Sequence, residues 1–379
     1  MKSFSYYNPV RILFGCKQKY IANILKADGH SKILLVYGKD SVKKSGLYDE
    51  ILKLLKDADI KFIEHSGVSS NPTLLHAREG VQKTKGVTAI LAVGGGSVID
   101  ESKAIAAAAA SECDVWELYE GKEPTDALDL YVILTISATG SEMNSGTVLT
   151  NEETKEKLSF NSPLVYPKVS IINPALTLTL PKEYLIYSAV DIITHVAEVY
   201  FTAEEHPKIQ NRFCENIIKS VIKTTDELLK NPDNINARGE FALCATWALN
   251  NLTSLGVGEY SFPNHMIEHS LSAIYNVPHG AGLAVVLPAW LKWFYKNTKN
   301  PQVKRFAKKI FNEKDAKEGI NAFEKWLQKI GAPTTLKELG IANGDIEKIA
   351  ENVDFVSHRW GLKQKYPYES IKKILKLMK

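Results

Sequence analysis

A chain of 379 residues is long for a single hydrophobic core and suits two domains of ordinary size. Hydrophobic residues at 45% and charged residues at 24% exclude a disordered or fibrous chain. The net charge of +4, from 47 basic and 43 acidic residues scattered along the chain, gives no basic patch and argues against nucleic acid as a partner.

The opening stretch MKSFSYYNPVRILFG has no continuous apolar core of the kind a signal peptide carries, and no later run approaches the roughly 20 apolar residues of a membrane span. A cytoplasmic protein with no membrane partner is expected. Cys16, Cys113, Cys214 and Cys244 are far apart and form no Cys-x-x-Cys pair. They read as small buried hydrophobes, not as a disulfide framework or a thiolate zinc site.

From residue 32, short β-branched runs alternate with amphipathic stretches. KILLVYG (32–38) reads as a buried strand, SVKKSGLYDEILKLLKDA (41–58) as one helix, IKFIEHSG as a strand and TLLHAREGVQKTK as a helix. AILAVGGG (89–96) is a further strand, followed by an alanine-rich helix from Ser97. VILTISA (132–138), a hairpin in GTVLTNEETKEKLSF, and VSIINP (169–174) complete the series. Strict alternation of strand and helix predicts βαβ units and a parallel sheet covered by helices. After NPALTLTLPKEY the strand runs stop, and SAVDIITHVAEVYF, CENIIKSVIKTTDELL, GEFALCATWALNNLTSL and NAFEKWLQKI all carry helical spacing. The expected architecture is a Rossmann-like α/β domain over residues 1–178 and an all-α domain over residues 179–379.

Two turns in the first half are built for close approach. In AILAVGGGSVID, glycines without Cβ let a phosphate near the backbone, Ser97 can cap the helix or donate to an oxygen, and the first helical turn attracts anions. ISATGSEMNSG (136–146) follows the next strand, with Thr139 and Ser141 as hydroxyl donors. Both would lie at the carboxyl ends of parallel strands, where open α/β sheets bind nucleotides. An ordinary strand-to-helix turn is the plain alternative for each.

The second half gathers metal-binding residue types. Asp191 and His195 are four apart on a helix, one turn from each other, and so are His265 and His269; His279 follows the turn NVPHG. A lone Asp-x-x-x-His is satisfied by a hydrogen bond between the two. An aspartate with several histidines suits Fe²⁺, Zn²⁺, Co²⁺ or Mn²⁺. Three side chains would favour zinc with an open position, whereas four would favour an ion of higher coordination number such as Fe²⁺.

Taken together these motifs resemble the iron-dependent (group III) alcohol dehydrogenase family, in its butanol dehydrogenase or broad aldehyde reductase branch. GGGSVID, ATGSEMN, DIITH and a His-x13-His pair ending in VPHG occur in the family's order, from about YYNPVRILFG to the C-terminal helices. The resemblance implies a dehydroquinate synthase-like architecture. It implies Asp191, His195, His265 and His279 as ligands of a divalent metal, Fe²⁺ first and Zn²⁺ as the alternative. His269 matches a histidine beside substrate and cofactor that does not bind the metal, so a catalytic role is implied, either in proton transfer or in support of the groups around the ion. Gly95, Gly96 and Ser97 match the pyrophosphate loop, with Asp100 in its helix. Asn71 matches a Pro-Asn-Pro-Thr turn in which Ser70 here replaces the first proline. Thr139, Ser141 and Lys157 match positions near nicotinamide and ribose, and Leu180 an apolar wall of the cofactor cleft. Glu101 and Ser102 stand where the family usually has smaller or uncharged residues, which adds a negative charge near the phosphate loop.

The implied reaction is hydride transfer between NAD(P)(H) and a small alcohol/aldehyde pair such as butanol and butanal, in a homodimer. Gly38, Lys39 and Ser41 occupy the turn where NAD-preferring members place an acidic residue, and Lys43 and Lys44 add positive charge, so NADP(H) is expected over NAD(H), with Asp40 opposing. A dehydroquinate-synthase-like lyase, a glycerol or polyol dehydrogenase of the same fold, and a non-catalytic metal-binding scaffold are the alternatives. The lyase would need Arg and Lys around its phosphorylated carboxylate substrate. Here Tyr260, Phe262, Met266, Ile267 and Leu271 surround the histidines in sequence, and the scaffold leaves the glycine turns without a purpose.

Overall fold

The computed structural model describes every residue except Cys16, Asn343 and Gly344, so the expectation for Cys16 lies outside the described residues. Among the described residues eight strands form: β1 (Arg11–Phe14), β2 (Lys32–Tyr37), β3 (Lys61–Ser66), β4 (Ala89–Gly94), β5 (Asp129–Leu134), β6 (Gly146–Asn151), β7 (Glu156–Asn161) and β8 (Val169–Ile172). Six of them make one parallel sheet in the order β1-β8-β5-β4-β2-β3, and β6 with β7 make the antiparallel hairpin. The alternation of side chains across a strand explains the layering. Leu34 and Val36 of β2 join one core with Ile90 and Ala92, while Ile33, Leu35 and Tyr37 join the other with Leu91 and Val93.

Three details differ from the expected elements. RILF forms β1, whose half-exposed residues at the sheet edge lack the apolar signal of a central strand. The strand expected over 132–138 runs instead from Asp129 to Leu134, because its pairing with β4 ends at Gly94↔Leu134. The single helix expected over 41–58 is two, Ser41–Lys44 and Leu47–Asp57, divided by Gly46 at φ +77°, a left-handed conformation that breaks helical hydrogen bonding.

The helices that carry the site or pack beside it are α1 (Leu74–Gln82), α2 (Gly96–Ala110), α3 (Lys182–Thr202), α4 (Lys208–Leu228), α5 (Ile235–Ala248), α6 (Pro263–Tyr275) and α7 (His279–Thr298). The chain divides into two compact units. One comprises Tyr7–Leu180 with Asp233–Thr246, and the other Met1–Tyr6, Pro181–Pro232 and Trp247–Lys379. The division differs from a single break at residue 178 in two places: Met1–Tyr6 group with the helical unit, and most of α5 returns to the sheet unit. There Ala242 packs into the core, and Arg238 Nη1 donates to the Thr177 carbonyl at 2.7 Å. The helical unit is held by apolar faces and an aromatic group in which Phe201 meets Trp290 and Phe306. Cys214 and Cys244 are buried as expected, but Cys113 is only half-buried. No helix among the described residues is long and apolar enough to cross a membrane.

Candidate active site

In α3 every residue from Ser188 to Phe201 is buried, including Asp191, His195 and Glu198. Burying such groups without partners is costly, so their surroundings reveal what they serve. Asp191 Oδ1 lies 3.5 Å from His195 Nδ1, 3.5 Å from His265 Nε2 and 3.6 Å from His279 Nε2. Ligand atoms about 2.1 Å from one tetrahedral ion stand about 3.4 Å apart, so these separations match the edges of a coordination shell. Asp191 Oδ1, His195 Nδ1 and His265 Nε2 are all buried and make no hydrogen bond within the protein, and the donor atoms of these three residues lie within 4.8 Å of one another. The residues present fit a divalent cation.

Electrostatics agree. Burial pulls the Asp191 carboxyl upward, yet the imidazoles of His195, His265 and His279 outweigh it and hold the group well below the usual carboxylate range. Burial pushes His195 down to about 3, which leaves a neutral ring with a lone pair to offer. At His265 burial acts against charge, but Glu198 and Asp191 raise the group to about 10; carboxylates that draw a proton so strongly draw a divalent cation too, with the proton released on binding. His279, the first residue of α7, is the most exposed of the four, at 22%. His269, one turn after His265, is buried, with its ring 5.9 Å from that of His279 and edge-on to Trp360 at 5.1 Å. It stands beside the cluster and outside the set that converges on Asp191.

The sheet unit brings most of the remaining expected residues together. A Cβ on Gly96 would lie 2.3 Å from Thr139 Oγ1, and one on Gly95 2.9 Å from Ile136 Cβ, so the two turns pack as closely as only glycine allows. Ser97 does not cap its helix: Gly95 is the capping residue, and the Ser97 hydroxyl donates to the Ser70 carbonyl at 2.7 Å, tying the glycine loop to the Asn71 turn. Lys157 Nζ donates to Asn71 Oδ1 at 3.1 Å. Ser141 Oγ donates to Asp100 Oδ1 at 2.6 Å, and the second Asp100 oxygen accepts from Val148 N. Gly38 faces the same loop, its notional Cβ 3.9 Å from Val98. Leu180 is half-buried at the end of the unit, its N–H bonded to the Thr177 carbonyl. Lys39 and Ser41 are exposed.

Sequence reasoning missed several residues here, among them Lys103, His65, His76 and Glu198. Lys103 is fully buried and donates to Ser141 Oγ, Asn144 O, Asn144 Oδ1 and Gly146 O at 2.7–2.9 Å. Burial pushes it down to about 8 against the pull of Asp100 and Glu142. His65 and His76 answer the charge of Glu101. Glu101 Oε1 accepts from His65 Nε2 at 2.9 Å and His76 Nδ1 at 2.7 Å, while His76 Nε2 donates to the Ser66 carbonyl at 3.1 Å. A histidine that donates from both nitrogens is an imidazolium, so the extra negative charge is neutralised inside the fold. Lys83 Nζ, 3.3 Å from His65 Nδ1, adds a cation where a second metal would need a lone pair. Glu198 was missed as well. It follows His195 by three residues, as Glu268 follows His265, and this twice-repeated His-x-x-Glu spacing is the signal that could have found it.

A parallel-sheet unit with a glycine loop, joined to a helical unit with an aspartate and histidine centre, defines the dehydroquinate synthase-like class of nicotinamide- and metal-dependent enzymes. Residues 9–174 match the iron-containing alcohol dehydrogenase family, and residues 185–378 match the C-terminal region of the same Fe-containing family. The chain is 40% identical to the probable NADH-dependent butanol dehydrogenase 1 of Bacillus subtilis, covering 93% of each chain. It is 35% identical to the NADPH-dependent aldehyde reductase YqhD of Escherichia coli, again over 93% of each. The crystal structure of NADH-dependent butanol dehydrogenase A from Thermotoga maritima superposes with a TM-score of 0.96 at 43% identity, covering 100% of this chain and 99% of that one. The chain belongs to the iron-containing alcohol dehydrogenase family. It is a metal-containing, NAD(P)-dependent oxidoreductase that transfers a hydride between nicotinamide and a small alcohol/aldehyde pair, and the lyase and scaffold readings give way to this one.

Proposed function

We propose that Asp191, His195, His265 and His279 hold the metal, Fe²⁺ in preference to Zn²⁺, and that His269 handles the substrate proton in the reduction of short aliphatic aldehydes such as butanal. The observation that carries the ligand set is the convergence of three buried donor atoms without protein partners, Asp191 Oδ1, His195 Nδ1 and His265 Nε2. Four protein ligands leave a place for substrate on an ion of higher coordination number, which favours Fe²⁺. When bound, the metal supplies Lewis acidity toward the substrate oxygen. The imidazole of His269 gives its proton to the oxygen that becomes the hydroxyl, and apolar neighbours such as Met266, Ile267 and Leu271, all fully buried, keep α6 rigid beneath it.

The sheet unit binds the nicotinamide cofactor in this reading and the helical unit binds the metal. Gly95, Gly96 and Ser97 receive the pyrophosphate on backbone N–H groups. Asn71, Thr139 and Lys157 face the nicotinamide half, and Leu180 forms an apolar wall. Asp100 and Ser141 act as the brace beneath, since their polar atoms bond to each other. NADP(H) is the cofactor of choice on the charge of Lys39 and Lys44. Lys43 contributes less, because its ammonium lies 5.6 Å from the Tyr37 ring centroid and 5.1 Å from that of Tyr48. The resemblance to the family supports a homodimer acting in the cytoplasm, which light scattering and fractionation test.

Metal analysis tests the ligand set. His265→Ala and His279→Ala are expected to purify with little metal, and His269→Ala with full metal and at least a hundredfold loss of turnover, the scale of a lost general acid. Full occupancy in either ligand variant refutes the set. For the cofactor, kcat/KM with butanal is expected to be higher with NADPH than with NADH, and Lys39→Asp is expected to reverse the order; a wild-type preference for NADH refutes this choice.

A further inference from the structure

We propose that Glu198 and Glu268 are the positioning residues of the metal centre, each accepting the Nδ1–H hydrogen bond of one histidine and so aiming that ring's Nε2 lone pair at the ion. The proposal rests on the ligand assignment above. Both glutamates are fully buried. Glu198 Oε2 accepts from His265 Nδ1, and Glu268 Oε2 accepts from His279 Nδ1. A neutral imidazole that donates from Nδ1 has its lone pair on Nε2, and those Nε2 atoms are the ones that stand 3.5 and 3.6 Å from Asp191 Oδ1.

Each carboxylate is itself seated firmly. Glu198 Oε1 accepts from Asn264 Nδ2 at 3.0 Å, from the Asn264 N–H, and from the His265 N–H at 3.3 Å. Glu268 Oε1 accepts from Ser272 Oγ, whose oxygen also lies 3.2 Å from the Val277 carbonyl in the turn before His279. A Cβ on Gly282 would stand 2.8 Å from Glu268 Cγ and 2.9 Å from its Oε1, so glycine there leaves room for the carboxylate. The pairing is crossed between helices. Glu198 on α3 holds a histidine of α6, and Glu268 on α6 holds the histidine that opens α7, so three helices are linked through two carboxylate–imidazole pairs. Such outer partners fix ring orientation and raise ligand basicity. They matter most at His279, the most exposed of the three rings.

Glu198→Gln and Glu268→Gln keep the side-chain shape and remove the charge. Competition between stripped protein and a chelator for Zn²⁺ is expected to show affinity lower by roughly ten- to a hundredfold in each variant. The visible absorption of the Co²⁺-loaded variants is expected to shift, whereas the circular dichroism of the stripped proteins stays that of the wild type. Wild-type Zn²⁺ affinity within twofold and an unchanged Co²⁺ spectrum in both variants would overturn the proposal, provided that His265→Ala, measured alongside, has lost the metal. Should His265→Ala keep it, the ligand assignment falls and this proposal falls with it. Long-range ¹⁵N spectra of the histidines in the Zn²⁺-loaded wild type need no variant to fold. Protonated Nδ1 with ligated Nε2 at His265 and His279 is expected, and ligation through Nδ1 at either overturns its pairing.

Discussion

Glu101, Glu198 and Glu268 are three glutamates with no solvent exposure, and each meets an imidazole. Their work differs because their neighbours differ. The histidines paired with Glu198 and Glu268 turn their far nitrogens toward Asp191, while His76 turns its far nitrogen to the Ser66 carbonyl and so closes a proton-filled clasp between β3, α1 and α2. The Glu101 hydrogen bond raises the affinity of His76 for its proton, against the effect of burial; the Ser66 carbonyl and Glu79 add to it, and His65 stacks on the ring at 4.2 Å. A group whose folded value is raised contributes stability that is whole below its ordinary value, about 6.5, and lost as pH rises through the folded value. Urea titrations from pH 6 to pH 9 are therefore expected to show a declining contribution from this clasp. The difference in unfolding free energy between wild type and His76→Gln is expected to shrink across that range, and a difference that grows with pH would refute the imidazolium.

At the scale of elements, glycine decides how closely segments approach. Helix α7 begins at His279, and a Cβ on the next residue, Gly280, would lie 2.1 Å from the backbone oxygen of Tyr187 on α3. No rotamer relieves a contact with backbone, so α7 must shift away from α3 and carry His279 from Asp191. Gly280→Ala is expected to cost roughly 1–3 kcal/mol of stability and to reduce metal content in parallel, measured by denaturant unfolding and metal analysis; an unchanged metal content would separate the helix packing from the site. Element types were readable in advance because they follow from local periodicity. Short β-branched runs marked β2 to β5, and three-and-four spacing marked α3. Their ends were less readable: Gly46 divides one amphipathic stretch through a positive φ, and β5 stops at Leu134 because its partner β4 stops at Gly94.

For the molecule as a whole, the proposed ligand set, with residues on α3, α6 and α7, would tie the helical unit's stability to the cation. A ligand at a hundredfold over its dissociation constant adds about 2.7 kcal/mol to the state that binds it. Stripping the metal is expected to speed amide hydrogen exchange in Lys182–Thr202 and Pro263–Tyr275 while Ala89–Gly94, in the other unit, keeps its protection. Equal loss of protection in both would mean that the units unfold as one.

By itself the sequence determined what depends on near neighbours along the chain. The strand and helix alternation, the close turn at Gly95 and Gly96, and the four-residue spacing of Asp191 with His195 all follow from one helical turn or one strand and its loop. Which distant groups meet is set by packing in three dimensions. The order of the six strands, the return of α5 to the sheet unit, the burial of Lys103 among carbonyl oxygens and the crossed pairing of Glu198 with His265 and Glu268 with His279 are of this kind. Each depends on which surfaces pack against each other. A buried charge is stable only where the opposing element supplies its partner, and residues so far apart in the chain carry no local mark of that choice.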